Sequence, residues 1–293
     1  MIEGIIPALI TPFSSNADQE IDLDGLRANI DSLIAAGVHG IVPCGSTGES
    51  ATLTFEEHER VIEATVDCVN GRVPVIAGTG SNNTKEALRF TKAAKDSGVD
   101  AVLVISPYYN KPNRSGLIKH YTALADCDIP VVLYNVPSRT GQNVLPDIVA
   151  ELAKHPSIVA VKEASGDISQ ISRIIELTQD EDFIMLSGDD AMTLPLMALG
   201  GKGVISVAAN VVPTQMVALY TALKNGDYAS AREIHYKLSP VFSAMFIETN
   251  PVPVKYAAGK LGYAAGSVRL PLDDAAAATR EQIDKVIDTV IRA

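Results

Sequence analysis

Short runs of branched aliphatic residues recur along the chain, and each is followed by a longer stretch whose apolar positions repeat at helical spacing. The runs predict strands over 5–10, 40–43, 73–77, 101–105, 131–134, 158–162, 183–187 and 203–207. Strand–helix alternation that persists in this way predicts parallel β/α units, and eight of them close a (β/α)8 barrel. Between the runs, Asp22 or Asp24 can cap a helix ending at Ala36-Gly37, and Thr54 with Glu57 forms a capping box. Thr84 and Ser115 read as two further caps. Beyond the last strand, helical sequence begins at Pro213 and continues with breaks to Ala293, which is more than one returning helix requires. The expected organisation is a barrel over 1–225 and a C-terminal helical region of about three helices over 226–293, packed on the barrel or on another subunit.

Composition sharpens this picture. Hydrophobic residues make up 47% of the 293 positions, Trp is absent and aromatics are only 5%, so the interior is built from Val, Ile, Leu and Ala, as in a parallel sheet covered on both faces. The formal charge is −11 with acidic and basic residues interspersed, leaving no basic stripe for nucleic acid. Cys44, Cys68 and Cys127 are odd in number and share no CxxC spacing, which argues against a disulfide framework and a metal cage and for a reducing, cytoplasmic setting. The start, Met1-Ile2-Glu3-Gly4, lacks a basic leader, and no apolar stretch approaches the ~20 residues that span a bilayer, so no membrane is expected as a partner.

Reactive residues of such barrels gather at the carboxyl ends of the strands. Those ends carry Gly45-Ser46-Thr47-Gly48-Glu49, Gly78-Thr79-Gly80, Pro107-Tyr108-Tyr109-Asn110, the run from Tyr134 to Gly141, Lys162-Glu163-Ala164 and Gly188-Asp189-Asp190. Lys162 is the most informative of them, because it closes the apolar run Ile158-Val159-Ala160-Val161. At an ordinary pKa of about 10.4, roughly one lysine in 2,500 is neutral at pH 7; desolvation or a neighbouring cation raises that fraction and makes the amine reactive toward carbonyls. The strand ends hold no His/Asp/Glu cluster at metal spacing, which favours an enamine held by lysine over an enolate held by a metal. The glycine turns match neither a dinucleotide fingerprint nor a Walker loop, so no nucleotide cofactor is indicated, although backbone N–H groups there can receive a carboxylate.

Taken with Ser187 to Asp190, Gly203 to Ser206 and Asn250-Pro251-x-Pro253-Val254-Lys255, these stretches resemble the pyruvate-dependent class I aldolases of the N-acetylneuraminate lyase superfamily over nearly the whole chain. Within that superfamily the chain is similar to the dihydrodipicolinate synthase family. The resemblance implies a lyase of lysine and diaminopimelate biosynthesis that condenses pyruvate with L-aspartate 4-semialdehyde. It implies no cofactor beyond the Schiff base that Lys162 forms with pyruvate, and no metal. Tyr134 would move protons through a relay with Ser46 and with Tyr109 of a neighbouring subunit, which implies a homo-oligomer, a dimer of dimers. Thr47 with nearby backbone would hold the pyruvate carboxylate, with Gly188 and Ile205 also at the substrate, and Arg139 would fork onto the carboxylate of the semialdehyde. L-Lysine is implied as an effector against Ala51, His58, Asn82, Glu86 and Tyr108, with Glu86 facing its ammonium groups and Asn82 and Tyr108 its carboxylate.

Two positions depart from the family pattern. Residue 46 is Ser where the synthases more often carry Thr, although either hydroxyl can donate and accept. Phe55 stands where lysine-sensitive relatives often place a polar side chain, which weakens the expected effector site. Two other readings remain open at this point: a related pyruvate aldolase acting on a keto-sugar acid, and a non-catalytic barrel that binds pyruvate. Arg139 separates the first from the synthases, and the joint presence of Lys162, Tyr134, Tyr109 and Ser46 weighs against the second.

Overall fold

The computed structural model describes residues 2–292; Met1 and Ala293, the outer limits of the expected domains, lie outside the described residues. Among the described residues seven strands are formed: β1 Gly4–Pro7, β2 Ile76–Gly78, β3 Ala101–Ile105, β4 Val131–Asn135, β5 Ile158–Glu163, β6 Ile184–Ser187 and β7 Gly203–Ser206. They make one parallel sheet in the order β1-β7-β6-β5-β4-β3-β2.

The expected strand over 40–43 takes part only through single bridges, Ala8 to Val42 and Ile41 to Val75. Its backbone is nevertheless bonded on both sides: Val42 N–H donates to Pro7 O, and Ile76 N–H to Ile41 O, each at 2.9 Å. The segment thus closes the curled sheet between β1 and β2 as an eighth stave. It stays short because Pro43 has no N–H to extend the ladder and Cys44, at φ 55°, turns the chain away.

Side chains alternate across the sheet. Val132 and Tyr134 of β4 join Ile6, Leu103, Ala160 and Leu186 inside the barrel, whereas Val131, Leu133 and Val161 face the helix layer. Helix Leu23–Ala35 is capped by Asp22, whose carboxylate accepts from Gly25 N–H at 2.8 Å, and Phe55–Val69 opens with both halves of the Thr54/Glu57 capping box. The other two expected caps move. Asn83 caps Thr84–Asp96 and Asn113 caps Arg114–Ala125, because each Asn is extended and its side-chain oxygen reaches an N–H of the first turn. Thr84 is then free to pair with His120 Nδ1 at 2.9 Å.

After Pro213–Lys224, three α-helices follow among the described residues: Tyr228–Ala244, Val252–Lys260 and Ala277–Val286. A buried ion pair ties this region to the barrel mouth. Lys255 Nζ lies 2.8 Å from Glu49 Oε1 and also donates to the carbonyls of Thr11 and Ser267, with the two side chains only 2% and 1% exposed. Burial pulls the Lys255 pKa down while Glu49 holds it up. Breaking such a pair by removing one partner costs about 3–5 kcal/mol, because it strands a buried charge. Arg269 adds a second tie: its N–H donates to Glu49 at 2.9 Å, and its guanidinium forks onto Glu57. Among the described residues no helix is long and apolar enough to cross a membrane.

Candidate active site

Strands β4 and β5 end in the pairs Tyr134-Asn135 and Lys162-Glu163, which lie directly opposite in register, Tyr134 to Lys162 and Asn135 to Glu163. Alternation sends the first pair into the barrel and the second outward. Outside, the buried Glu163 carboxylate accepts from Asn135 Nδ2 at 2.9 Å, Gln170 Nε2 at 3.2 Å and Ser165 N–H at 2.7 Å, which fixes the spacing of the two strands. Inside, Lys162 Nζ stands 4.2 Å from the Tyr134 ring centroid.

Lys162 is 6% exposed. Burial lowers its pKa to about 7; Asp190 opposes the shift and Arg139 adds to it. At that value roughly half of the amines are neutral at pH 7, about a thousandfold more than for an ordinary lysine. Asp190, itself raised to about 6 by burial, accepts N–H bonds from Val207 at 3.0 Å and Ala208 at 2.9 Å and a bond from the Ser206 hydroxyl. Gly188 gives the lysine stem its room, since a Cβ there would come within 3.1 Å of Lys162 Cγ and Cε.

Tyr134 is also desolvated. Burial pushes its phenol up to about 12, with Arg139 pulling in the opposite direction. The two side chains open onto a cavity of about 790 Å³ that Ser46, Thr47, Arg139 and Gly188 also line. Ile205 does not line it and is fully buried in the inner cluster with Tyr134. The loop bearing Ser46 and Thr47 is a tight turn between two left-handed residues, Cys44 and Glu49, both at φ 55°. Gly78 permits this turn, because a Cβ at that position would sit 2.2 Å from the Cys44 carbonyl oxygen.

Tyr109 is not part of the cavity of its own chain: it stands out from the loop at φ 68° with 89% of its surface exposed. The expected effector residues lie outside the lining of that cavity. His58 is buried against Phe90 with ring centroids 4.1 Å apart, and burial lowers its pKa to about 4, so it is a neutral packing group at pH 7. Phe55 packs on Phe90 and lies under the Arg89 guanidinium, Glu86 receives the Ser81 hydroxyl, and the Asn82 carbonyl receives Asn110 Nδ2. Ala51 and Tyr108 are exposed.

Asp190 and Asn250 belong to the site although the sequence assigned neither a role. Asn250 donates from Nδ2 to Thr47 Oγ1 at 2.9 Å, and its backbone carbonyl accepts from Arg139 Nη2 at 2.9 Å. Its only signal was the stretch Asn250-Pro251-x-Pro253-Val254-Lys255, and a contact across about two hundred residues leaves no local trace. Among the described residues no group of His, Cys, Asp and Glu is placed to hold a metal ion.

The fold these features define is a (β/α)8, or TIM, barrel with a C-terminal helical region. The profile of the dihydrodipicolinate synthetase family matches residues 1–290. The 4-hydroxy-tetrahydrodipicolinate synthase of Methanospirillum hungatei is 69% identical over 287 residues, covering 98% of this chain and 99% of that one. Two solved relatives superpose closely. The dihydrodipicolinate synthase of Acinetobacter baumannii complexed with pyruvate is 39% identical with a TM-score of 0.95, covering 98% of both chains. That of Cyanidioschyzon merolae with lysine bound is 38% identical with a TM-score of 0.96, covering 99% of both. The chain therefore belongs to the dihydrodipicolinate synthetase family.

Proposed function

We propose that this chain is a lyase that condenses pyruvate with L-aspartate 4-semialdehyde to give 4-hydroxy-tetrahydrodipicolinate, in lysine and diaminopimelate biosynthesis, through a Schiff base on Lys162. The observation that carries the reading is a desolvated lysine with a pKa near 7 in register with a buried tyrosine at the mouth of the barrel. The neutral amine adds to the ketone of pyruvate, and loss of water leaves a protonated imine. That cation draws electrons from the methyl group, which loses a proton and becomes an enamine. The enamine carbon attacks the aldehyde, whose oxygen takes up a proton. The amino group of the former semialdehyde then closes on the imine carbon and releases Lys162.

Tyr134 is suited to the proton transfers, giving one as water departs and taking one from the methyl group. A phenol near 12 parts with its proton reluctantly at neutral pH, so it needs hydroxyl partners. Ser46 of the same cavity and Tyr109 of a second subunit fill that role, which makes the working unit a homo-oligomer, at least a dimer. Thr47 holds the pyruvate carboxylate, and Arg139 forks onto that of the semialdehyde. L-Lysine acts as an effector on the surface of Ala51, His58, Asn82, Glu86 and Tyr108, a reading supported by the lysine-bound relative.

The test is a condensation assay with pyruvate that compares L-aspartate 4-semialdehyde with a series of sugar aldehydes. The semialdehyde is expected to be turned over in clear preference. Preference for a sugar aldehyde would transfer the chain to the keto-sugar-acid aldolases, and turnover of none would leave a pyruvate-binding barrel.

A further inference from the structure

We propose that Asn250 is a positioning residue for pyruvate: it sets the direction of the Thr47 hydroxyl proton, so that Thr47 donates to the pyruvate carboxylate. The inference rests on the reading of Thr47 as the carboxylate group, and adds to it a residue from the C-terminal helical region.

The argument follows from counting donors. The Asn250 side-chain nitrogen carries two protons and no lone pair, so in its 2.9 Å contact with Thr47 Oγ1 the hydroxyl oxygen must accept. A hydroxyl has a single proton. Occupying one of its lone pairs with the amide turns that proton away from Asn250, and among the described residues Thr47 Oγ1 has no acceptor within the chain for it. The cavity that Thr47 and Lys162 share is where such a proton finds one. A carboxylate accepts only, so a threonine held as an acceptor on one side and left as a donor on the other is matched to it.

Asn250 is placed by its backbone, while its side-chain amide makes one bond, to Thr47, and its buried Oδ1 has no partner among the described residues. The residue is 5% exposed at the head of the segment that leads into helix Val252–Lys260, and Lys255 of that helix is anchored on Glu49, two residues beyond Thr47. The segments that carry the amide and the hydroxyl are therefore held together by the same tie. Because Arg139 is bound by the backbone carbonyl of Asn250 and Thr47 by its side chain, the two contacts can be separated by mutation.

The experiment is a double-mutant cycle with Asn250→Ala and Thr47→Val, read as the pyruvate concentration that gives half-maximal borohydride trapping. Steady-state KM for the semialdehyde and the thermal midpoint are followed in parallel. Loss of one hydrogen bond predicts that Asn250→Ala raises the half-maximal pyruvate concentration about 3- to 10-fold in the wild-type background. In the Thr47→Val background the same change has no further effect, since no hydroxyl remains to be oriented. The semialdehyde KM stays within about twofold, because the carbonyl that holds Arg139 survives the substitution. An equal rise in both backgrounds would overturn the proposal and leave Asn250 a packing residue. No rise in the wild-type background would overturn it as well. Trapping of pyruvate by the unmodified protein is scored independently, so failure of the Schiff-base reading is seen separately from failure of this inference.

Discussion

Tyr134 and Lys162 share one register position on neighbouring strands, and the lysine nitrogen faces the tyrosine ring at 4.2 Å from its centroid. The ring attracts the ammonium form, while burial and Arg139 favour the neutral amine. Burial is the largest cause of the shift and outweighs Asp190, which opposes it, so the nitrogen titrates near neutrality.

Replacing Tyr134 by Phe keeps that ring and removes only the hydroxyl, which makes no hydrogen bond within the chain among the described residues. Tyr134→Phe is therefore expected to retain its thermal midpoint and to lose about 10²–10⁴-fold in kcat. Ser46→Ala slows turnover as well, whereas Ser46→Thr keeps the hydroxyl and remains active. Steady-state kinetics beside thermal unfolding check this; near wild-type turnover in Tyr134→Phe removes the tyrosine from the chemistry.

Arg139→Ala separates the two substrates. A charge-assisted contact contributes about 1.5–3 kcal/mol, so kcat/KM for the semialdehyde falls about 10- to 100-fold while pyruvate is still trapped. Loss of the guanidinium charge also raises the Lys162 pKa, because Arg139 is one of the groups that lower it. The acid limb of the trapping rate then moves to higher pH. A limb that stays in place, with an unchanged semialdehyde KM, would contradict both assignments.

The reacting strands were legible because the information is local. The run from Ile158 to Val161 is apolar on both faces, so the lysine that ends it could only stand at the rim. Segment 40–43 was legible as a stave of the barrel but not as the pair of single bridges it forms, since the effect of Cys44 turning left-handed depends on the closeness of Gly78. The caps at Thr84 and Ser115 were misplaced by one and two positions because Asn competes with Thr and Ser for the same N–H groups. The stretches that carry Glu49, Asn250 and Lys255 were legible, but the buried Glu49–Lys255 pair and the Asn250 bridge between them were not. Each joins residues about two hundred positions apart, and nothing in local spacing distinguishes them from ordinary surface polar residues.

Tyr109 is exposed in its own chain, and the proposed relay draws it from a neighbour. Inactive Tyr109→Phe chains mixed with inactive Lys162→Ala chains are therefore expected to regain part of the activity, since a hybrid site then contains both native groups. Subunit exchange is verified by mass spectrometry of differently labelled chains. Exchange without recovered activity, or a fully active monomer by sedimentation, would contradict a shared site.

L-Lysine added to the condensation assay is expected to inhibit partially and weakly, at millimolar concentration. Glu86 already receives the Ser81 hydroxyl, and Phe55 with Phe90 replaces polar surface beside His58 by aromatic packing. Glu86→Ala should abolish the inhibition and leave catalysis intact, because Glu86 lies outside the cavity that holds Lys162. Absence of inhibition at millimolar lysine would show that this surface does not serve as an effector site.

The most direct measurement is to incubate the protein with pyruvate, reduce with borohydride, and locate the modification by peptide mass spectrometry across a pH series. The account predicts one label, on Lys162, formed at a rate that rises with pH and is half-maximal near 7, because the reacting form is the neutral amine of a lysine whose pKa is lowered to about 7. A label on another lysine, or a rate that keeps rising toward pH 10 as for an ordinary lysine, would contradict it.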